Sequence, residues 1–118
     1  MNISATTSAD VISSDKVEGA AVYNAAGDKL GSIDDLMIDK TSGQIRYAVL
    51  EFGGFLGMGK DRYPIPWGML TFDHQKDGYV VPLDKSKLEK APKYAEEAVP
   101  TYDRNYSDRV NTYYGTRS

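Results

Sequence analysis

The sequence predicts a mainly β fold, a small six-stranded antiparallel β-barrel with short C-terminal helices. Three observations lead there. Short apolar runs recur between residues 20 and 83, broken by Gly, Asn, Asp and Pro, and no helical period separates them. The connections AAGDK, KTSG and HQKDG are short and each carries a glycine, so neighbouring strands are expected to pair antiparallel. Six such runs, each with an inward-facing set of side chains, are enough to curl a sheet into a closed or nearly closed barrel.

Residues 1–12 are small and polar and are expected to form a flexible N-terminal segment, with the folded domain over 13–94 and a tail over 95–118. SSDK at 13–16 offers a serine cap for one helical turn. The strands follow as AAVYN (20–24), LGSIDDLMID (30–39), QIRYAVLEF (44–52), RYPIPW (62–67), MLTFD (69–73) and GYVVPL (78–83). In the second, the apolar phase shifts between Ile33 and Leu36, which a bulge near Asp34-Asp35 resolves. In the third, both alternating sets are largely apolar, so a helix, a loop or another subunit must cover its second face. In the fourth, Pro64 and Pro66 remove two donors from the same side, so this strand pairs fully with one neighbour only. Tyr63, Ile65 and Trp67 then share its core-facing side.

Beyond Leu83 the pattern turns helical. DKSKLEKA (84–91) has an Asp or Ser cap and ends before Pro92, and KYAEEAVP reads as a helical piece or a linker. Tyr102, Tyr106, Val110 and Tyr113 fall on one helical stripe, with Thr101 as cap and Gly115 as stop.

Composition excludes several function classes. With 41% hydrophobic and 26% charged residues the chain reads as globular rather than disordered, and without cysteine it has neither disulfides nor thiolate metal sites. A net charge of −3 provides no general attraction to nucleic acid or anionic lipid. No secretory signal and no membrane-spanning run is legible, so a cytoplasmic protein without membrane insertion is expected.

The order VYNAAGDKLGSIDDLMID, GQIRYAVLEFGGFLGMGKDRYPIPWGML and GYVVPLDKSKLEKAPKY resembles the PRC-barrel domain, over about residues 13–94. This module is named after the cytoplasmic domain of the photosynthetic reaction centre H subunit and also forms half of a bacterial ribosome-maturation factor. The C-terminal YYG resembles tails of short bacterial proteins built around it. The resemblance implies a six-stranded barrel used for interaction, with no catalytic residues to carry over. The chain has no membrane anchor and no room for a preceding barrel domain, which makes a stand-alone bacterial member the expectation.

The residues themselves offer little chemistry. Gly54 to Lys60 satisfies GxxxxGK, but Asp61 stands where a Ser or Thr would bind Mg²⁺, and a proline-containing strand follows instead of a helix. Phe55, Leu56 and Met58 in that stretch either fold over a barrel end or form a protein contact, and the two roles are compatible. Lys60, Asp61 and Arg62 read as a solvated rim. Asp34, Asp35 and Asp39 read as bulge or turn residues rather than a metal site, and His74 as an exposed turn residue. Lys85, Lys87, Lys90 and Lys93 read as a solvated face, since Asp84 and Glu89 interrupt them.

No catalytic, cofactor or metal site is therefore expected. The expected function is a non-enzymatic interaction or adaptor module with a protein partner and no direct nucleic acid contact. It is expected to self-associate as a homodimer through Phe55, Leu56, Met58, Tyr102, Tyr106 and Tyr113. The alternatives are a ribosome-associated factor binding a basic ribosomal protein, and a small-ligand barrel.

Overall fold

The structure is a computed structural model whose described residues are 10–52 and 61–116. Ser13 caps a single turn, α1 (Ser14–Val17), its Oγ accepting from the Asp15 amide, and Val17 enters the core. A meander follows: β1 (Ala21–Asn24), β2 (Lys29–Ile38), β3 (Ile45–Phe52) and β4 (Asp61–Pro66). The β2–β3 turn is held by the Asp39 carboxylate, which accepts from the amides of Thr41 at 2.9 Å and Ser42 at 2.8 Å. A 3-10 turn at Trp67–Met69 leads to the hairpin β5 (Thr71–Asp73) and β6 (Gly78–Val81). Then come α2 (Lys85–Glu89), the two-residue β7 (Tyr94–Ala95) and α3 (Arg104–Tyr114).

The strands form one seven-stranded sheet in the order β5-β6-β1-β2-β3-β4-β7, antiparallel except where β6 runs parallel to β1. The expected mainly β, mostly antiparallel fold is present, while the six-stranded, closed or nearly closed barrel is corrected in strand number and closure. The tail adds a seventh strand, and no ladder among the described residues joins β7 to β5. The prolines supply a physical reason: β4 pairs along its whole length with β3, but β7 pairs only with Asp61 and Arg62, stopping short of Pro64.

The sheet is nevertheless strongly curled. Five strand spacings separate β4 from β5 in the sheet order, about 24 Å if the sheet were flat. The link from Pro66 to Thr71 spans at most about 18 Å and is shortened further by its 3-10 turn. The two ends must therefore approach, and Trp67 accordingly packs on Tyr79 of β6 with ring centroids 5.5 Å apart.

Inside this curl lies the core, with Val22, Ile33, Leu50, Ile65 and Val81 each at most 1% exposed. The other face of β3 and β4 is also buried. Tyr47 and Val49 stand in register with Pro66 and Pro64, and all four are covered. The cover is this chain's own tail: Tyr102 reaches the Tyr47 ring at 5.7 Å, and α3 packs along β4.

The tail helix begins two residues later than its apolar stripe suggests. Asp103, not Thr101, is the N-cap, its Oδ1 accepting from the Tyr106 amide at 2.9 Å. A carboxylate is the stronger cap. The shift leaves Tyr102 before the helix and makes Ser107, Val110 and Asn111 its buried positions. Gly115, at φ 72°, ends it in the left-handed conformation as expected. KYAEEAVP is neither helix nor plain linker, since it opens with β7.

Candidate functional site

The densest polar cluster of the described residues lies where the tail crosses β2, β3 and β4, around Arg62. The expected bulge in β2 is present: the register with β3 slips between Ile33 and Asp35, making Asp34 the extra residue. Its carboxylate accepts from Arg62 Nε at 3.0 Å. Glu51, directly opposite Arg62 on β3, brings Oε2 within 3.3 Å of Nη1 without the alignment of a hydrogen bond. Glu96, just past β7, places Oε1 3.6 Å from Nη2. Arg62 is only 5% exposed, so it does not belong to a solvated rim. Burying a guanidinium is tolerable because each edge of its fork faces a carboxylate.

Above this cluster sit four tyrosines. Tyr94, opposite Arg62 on β7, shares a 2.7 Å hydrogen bond with the hydroxyl of Tyr102. The Tyr102 ring lies 5.0 Å from Tyr106 and 5.7 Å from Tyr47, and Tyr94 closes the set at 6.4 Å from Tyr106. Tilted and edge-on packing of this kind adds about 0.5–1.5 kcal/mol per pair beyond burial. The buried hydroxyls of Tyr47 and Tyr106 have no hydrogen-bond partner among the described residues.

Burial raises the phenol pKa values of Tyr102 and Tyr114 well above the ordinary range and pushes Tyr106 up to about 12. Tyr94 is raised by burial, against the hydrogen bond from Tyr102 and reinforced by the nearby charges of Asp35 and Asp34. An unfolded phenol ionises near 10.0, so above that pH the unfolded chain releases protons that the folded chain retains. Stability is therefore complete below pH 10 and declines as pH rises through the folded values. Spectrophotometric titration at alkaline pH should show a late group of tyrosines that ionise together with loss of structure. A single smooth titration near pH 10 with the fold intact would contradict this packing.

The cluster acts as a latch between sheet and tail. Arg62 ties the β2 bulge, β3 and the tail together. Asp39 is held below the usual carboxylate range by the Ser42 and Thr41 amides, Asp84 by the Lys87 amide, so both serve turns and caps. His74 is exposed with its ring edge-on to Phe72 at 4.9 Å. Among the described residues no group of three or more His, Cys, Asp or Glu is placed to hold a metal ion. No helix among them is long and apolar enough to cross a membrane.

Of the expected contact residues, Phe55, Leu56 and Met58 lie outside the described residues, as does the glycine-rich stretch up to Lys60. Asp61, which follows it, opens a strand and pairs with Lys93 at 3.5 Å. Tyr102 and Tyr106 face their own sheet, and the Tyr113 hydroxyl donates to the Lys87 carbonyl. Sequence reasoning missed Arg62 as the centre of the cluster. Its signal was a cation on the strand beside the doubly apolar third one, with two aspartates at the expected bulge of the strand beyond.

Comparison with known proteins agrees with this architecture. A family model of the PRC-barrel domain matches residues 9–88. A protein of Deinococcus radiodurans described as uncharacterised is 28% identical over 91 residues, covering 73% of this chain. The aligned region spans 32% of that relative's length.

Proposed function

The chain belongs to the PRC-barrel domain family, and from that premise we propose that it is a non-catalytic protein-interaction module, cytoplasmic and self-associating. One observation carries the reading. In the polar cluster and at the turns, the described side chains are engaged internally: Asp34 and Glu96 with Arg62, the Tyr94 and Tyr102 hydroxyls with each other, Asp39, Asp84 and Asp103 with backbone amides.

The surface best suited to self-association is the outer edge of β5. This strand ends the sheet order, and beside it lies a solvent-open depression of about 810 Å³ lined by Met69, Phe72, Val80, Val81 and Pro82. An unpaired edge next to apolar side chains is a template for a second strand. Sedimentation velocity should detect a dimer as concentration rises from micromolar toward millimolar, and Phe72→Ser should weaken it. A strict monomer across that range would overturn self-association.

Asp35 and Glu97, exposed and each next in sequence to a carboxylate of the Arg62 cluster, favour a second reading, a factor that binds a basic ribosomal protein. Co-sedimentation with ribosomal subunits, lost when these positions are neutralised, would favour it.

A further inference from the structure

We propose that the groove between α3 and the Lys90–Lys93 connection is a docking site for an acidic segment of another protein. The proposal rests on the reading of this chain as an interaction module and names a partner chemistry for a separate surface. The groove encloses about 720 Å³ and is open to solvent. Its cations are Lys90, Lys93 and Arg109, against a single carboxylate, Asp108. On a chain whose net charge is −3, this is a local reversal of sign.

Lys90 and Lys93 come from the connection and Arg109 from α3, and two of the three lie over aromatic rings. Arg109 lies over the Tyr106 ring at 5.5 Å, and Lys93 over Tyr63 at 5.8 Å while contacting Asp61 at 3.5 Å. At the flank, Lys87 sits 4.4 Å above the Tyr113 ring. Lys90 makes no ion pair among the described residues. Along α3, Asn105, Asp108, Arg109 and Thr112 form one exposed stripe and add amide and hydroxyl donors. Ala91, Pro92 and Tyr113 give the groove an apolar lining, which suits peptide side chains rather than a phosphodiester backbone.

Two other occupants fit less well. A nucleic acid needs a continuous positive track, and Asp108 interrupts this one while Asp61, outside the lining, already pairs with Lys93. A second copy would have to dock without its acids at Arg62 and at the helix caps, where Asp34, Glu96, Asp84 and Asp103 are already engaged. An acidic stretch on a different protein has no such commitment.

The experiment is fluorescence anisotropy with the full chain and a labelled decapeptide of glutamates with two central leucines, titrated at low and physiological salt. Binding is expected, weakening as salt rises. Joint Lys90→Glu and Arg109→Glu substitution should reduce affinity by about tenfold or more. The milder pair Lys90→Gln and Arg109→Gln should give an intermediate loss, with circular dichroism confirming that both variants fold. Lys16→Glu with Lys40→Glu makes the same change in net charge elsewhere and should leave binding unaltered.

Absence of binding, or equal loss in the Lys16 and Lys40 control, would overturn the proposal. So would tighter binding of an oligouridylate at the same residues, which would make the groove a nucleic-acid site. A dimer dissociated by the Lys90 and Arg109 reversals would assign the groove to self-contact and overturn it too. Failure of the peptide alongside an intact dimer would remove only the groove and leave the interaction reading in place.

Discussion

Gly31→Ala is expected to destabilise the domain by about 3 kcal/mol or more, lowering the melting midpoint by roughly 10–15 °C. A Cβ at this position would stand 2.1 Å from the Glu51 carbonyl oxygen and 3.1 Å from its carbon. Both atoms are backbone of β3, so no side chain can swing aside. Relief requires the β2–β3 ladder to part, and that pairing ties β2 and β3 together along Ser32 to Ile38. The displacement would also carry Glu51 away from Arg62, loosening the latch beneath the tail. Gly68→Ala supplies the comparison: its Cβ would meet nothing within 4 Å, so its midpoint should stay within a few degrees of the parent. Equal midpoints for the two variants in thermal denaturation would contradict the close approach of the strands.

The second large effect is expected at Arg62. Arg62→Met keeps the stem's volume and removes the charge, which leaves Asp34, Glu51 and Glu96 facing one another around an apolar side chain. Breaking a fully buried pair costs about 3–5 kcal/mol, but here the carboxylates keep access to water, with Glu96 68% exposed, so about 2–3 kcal/mol is expected. The loss should register first in the tail: amide exchange over 94–114 should quicken more than in β1 and β2. Removing one carboxylate by Asp34→Asn should cost less than about 1.5 kcal/mol, since the guanidinium retains its other contacts. Combined with Arg62→Met, Asp34→Asn should be nearly neutral or favourable, because it lowers the residual repulsion. Additive losses in the two variants would mean that Arg62 acts by packing alone.

These two sites mark how far the sequence could be read. The strands were legible because alternation and turn residues are local signals, and the bulge at Asp34 because a phase slip is visible in one strand. The proline limit on β4 was legible too, since a missing donor needs no partner to be noticed. Closure was not. Whether the last strand meets the first depends on twist and stagger summed over the whole sheet, which no single segment encodes. The parallel β1–β6 pair was hidden for the same reason, and β7 because two residues carry no period. At the candidate site, the doubly apolar face of β3 announced a cover, but which segment supplies it is a long-range fact. Arg62 resembled a surface charge until Asp34, Glu51 and Glu96, from three different segments, were brought around it.

The parallel pairing of β6 with β1 has a consequence during synthesis. Val22 meets Tyr79, a separation of 57 residues, whereas each antiparallel partner within the meander lies in the adjacent strand. At about 5–20 residues per second, a ribosome delivers β6 roughly 3–11 s after β1. For that interval the meander can form while the outer edge of β1 stands uncapped, and such an edge invites pairing with another nascent chain. Once β6 arrives it covers that edge, and the short strand β5 becomes the new border. The late hairpin thus exchanges a four-residue edge, present only in the unfinished chain, for the three-residue edge of the mature fold.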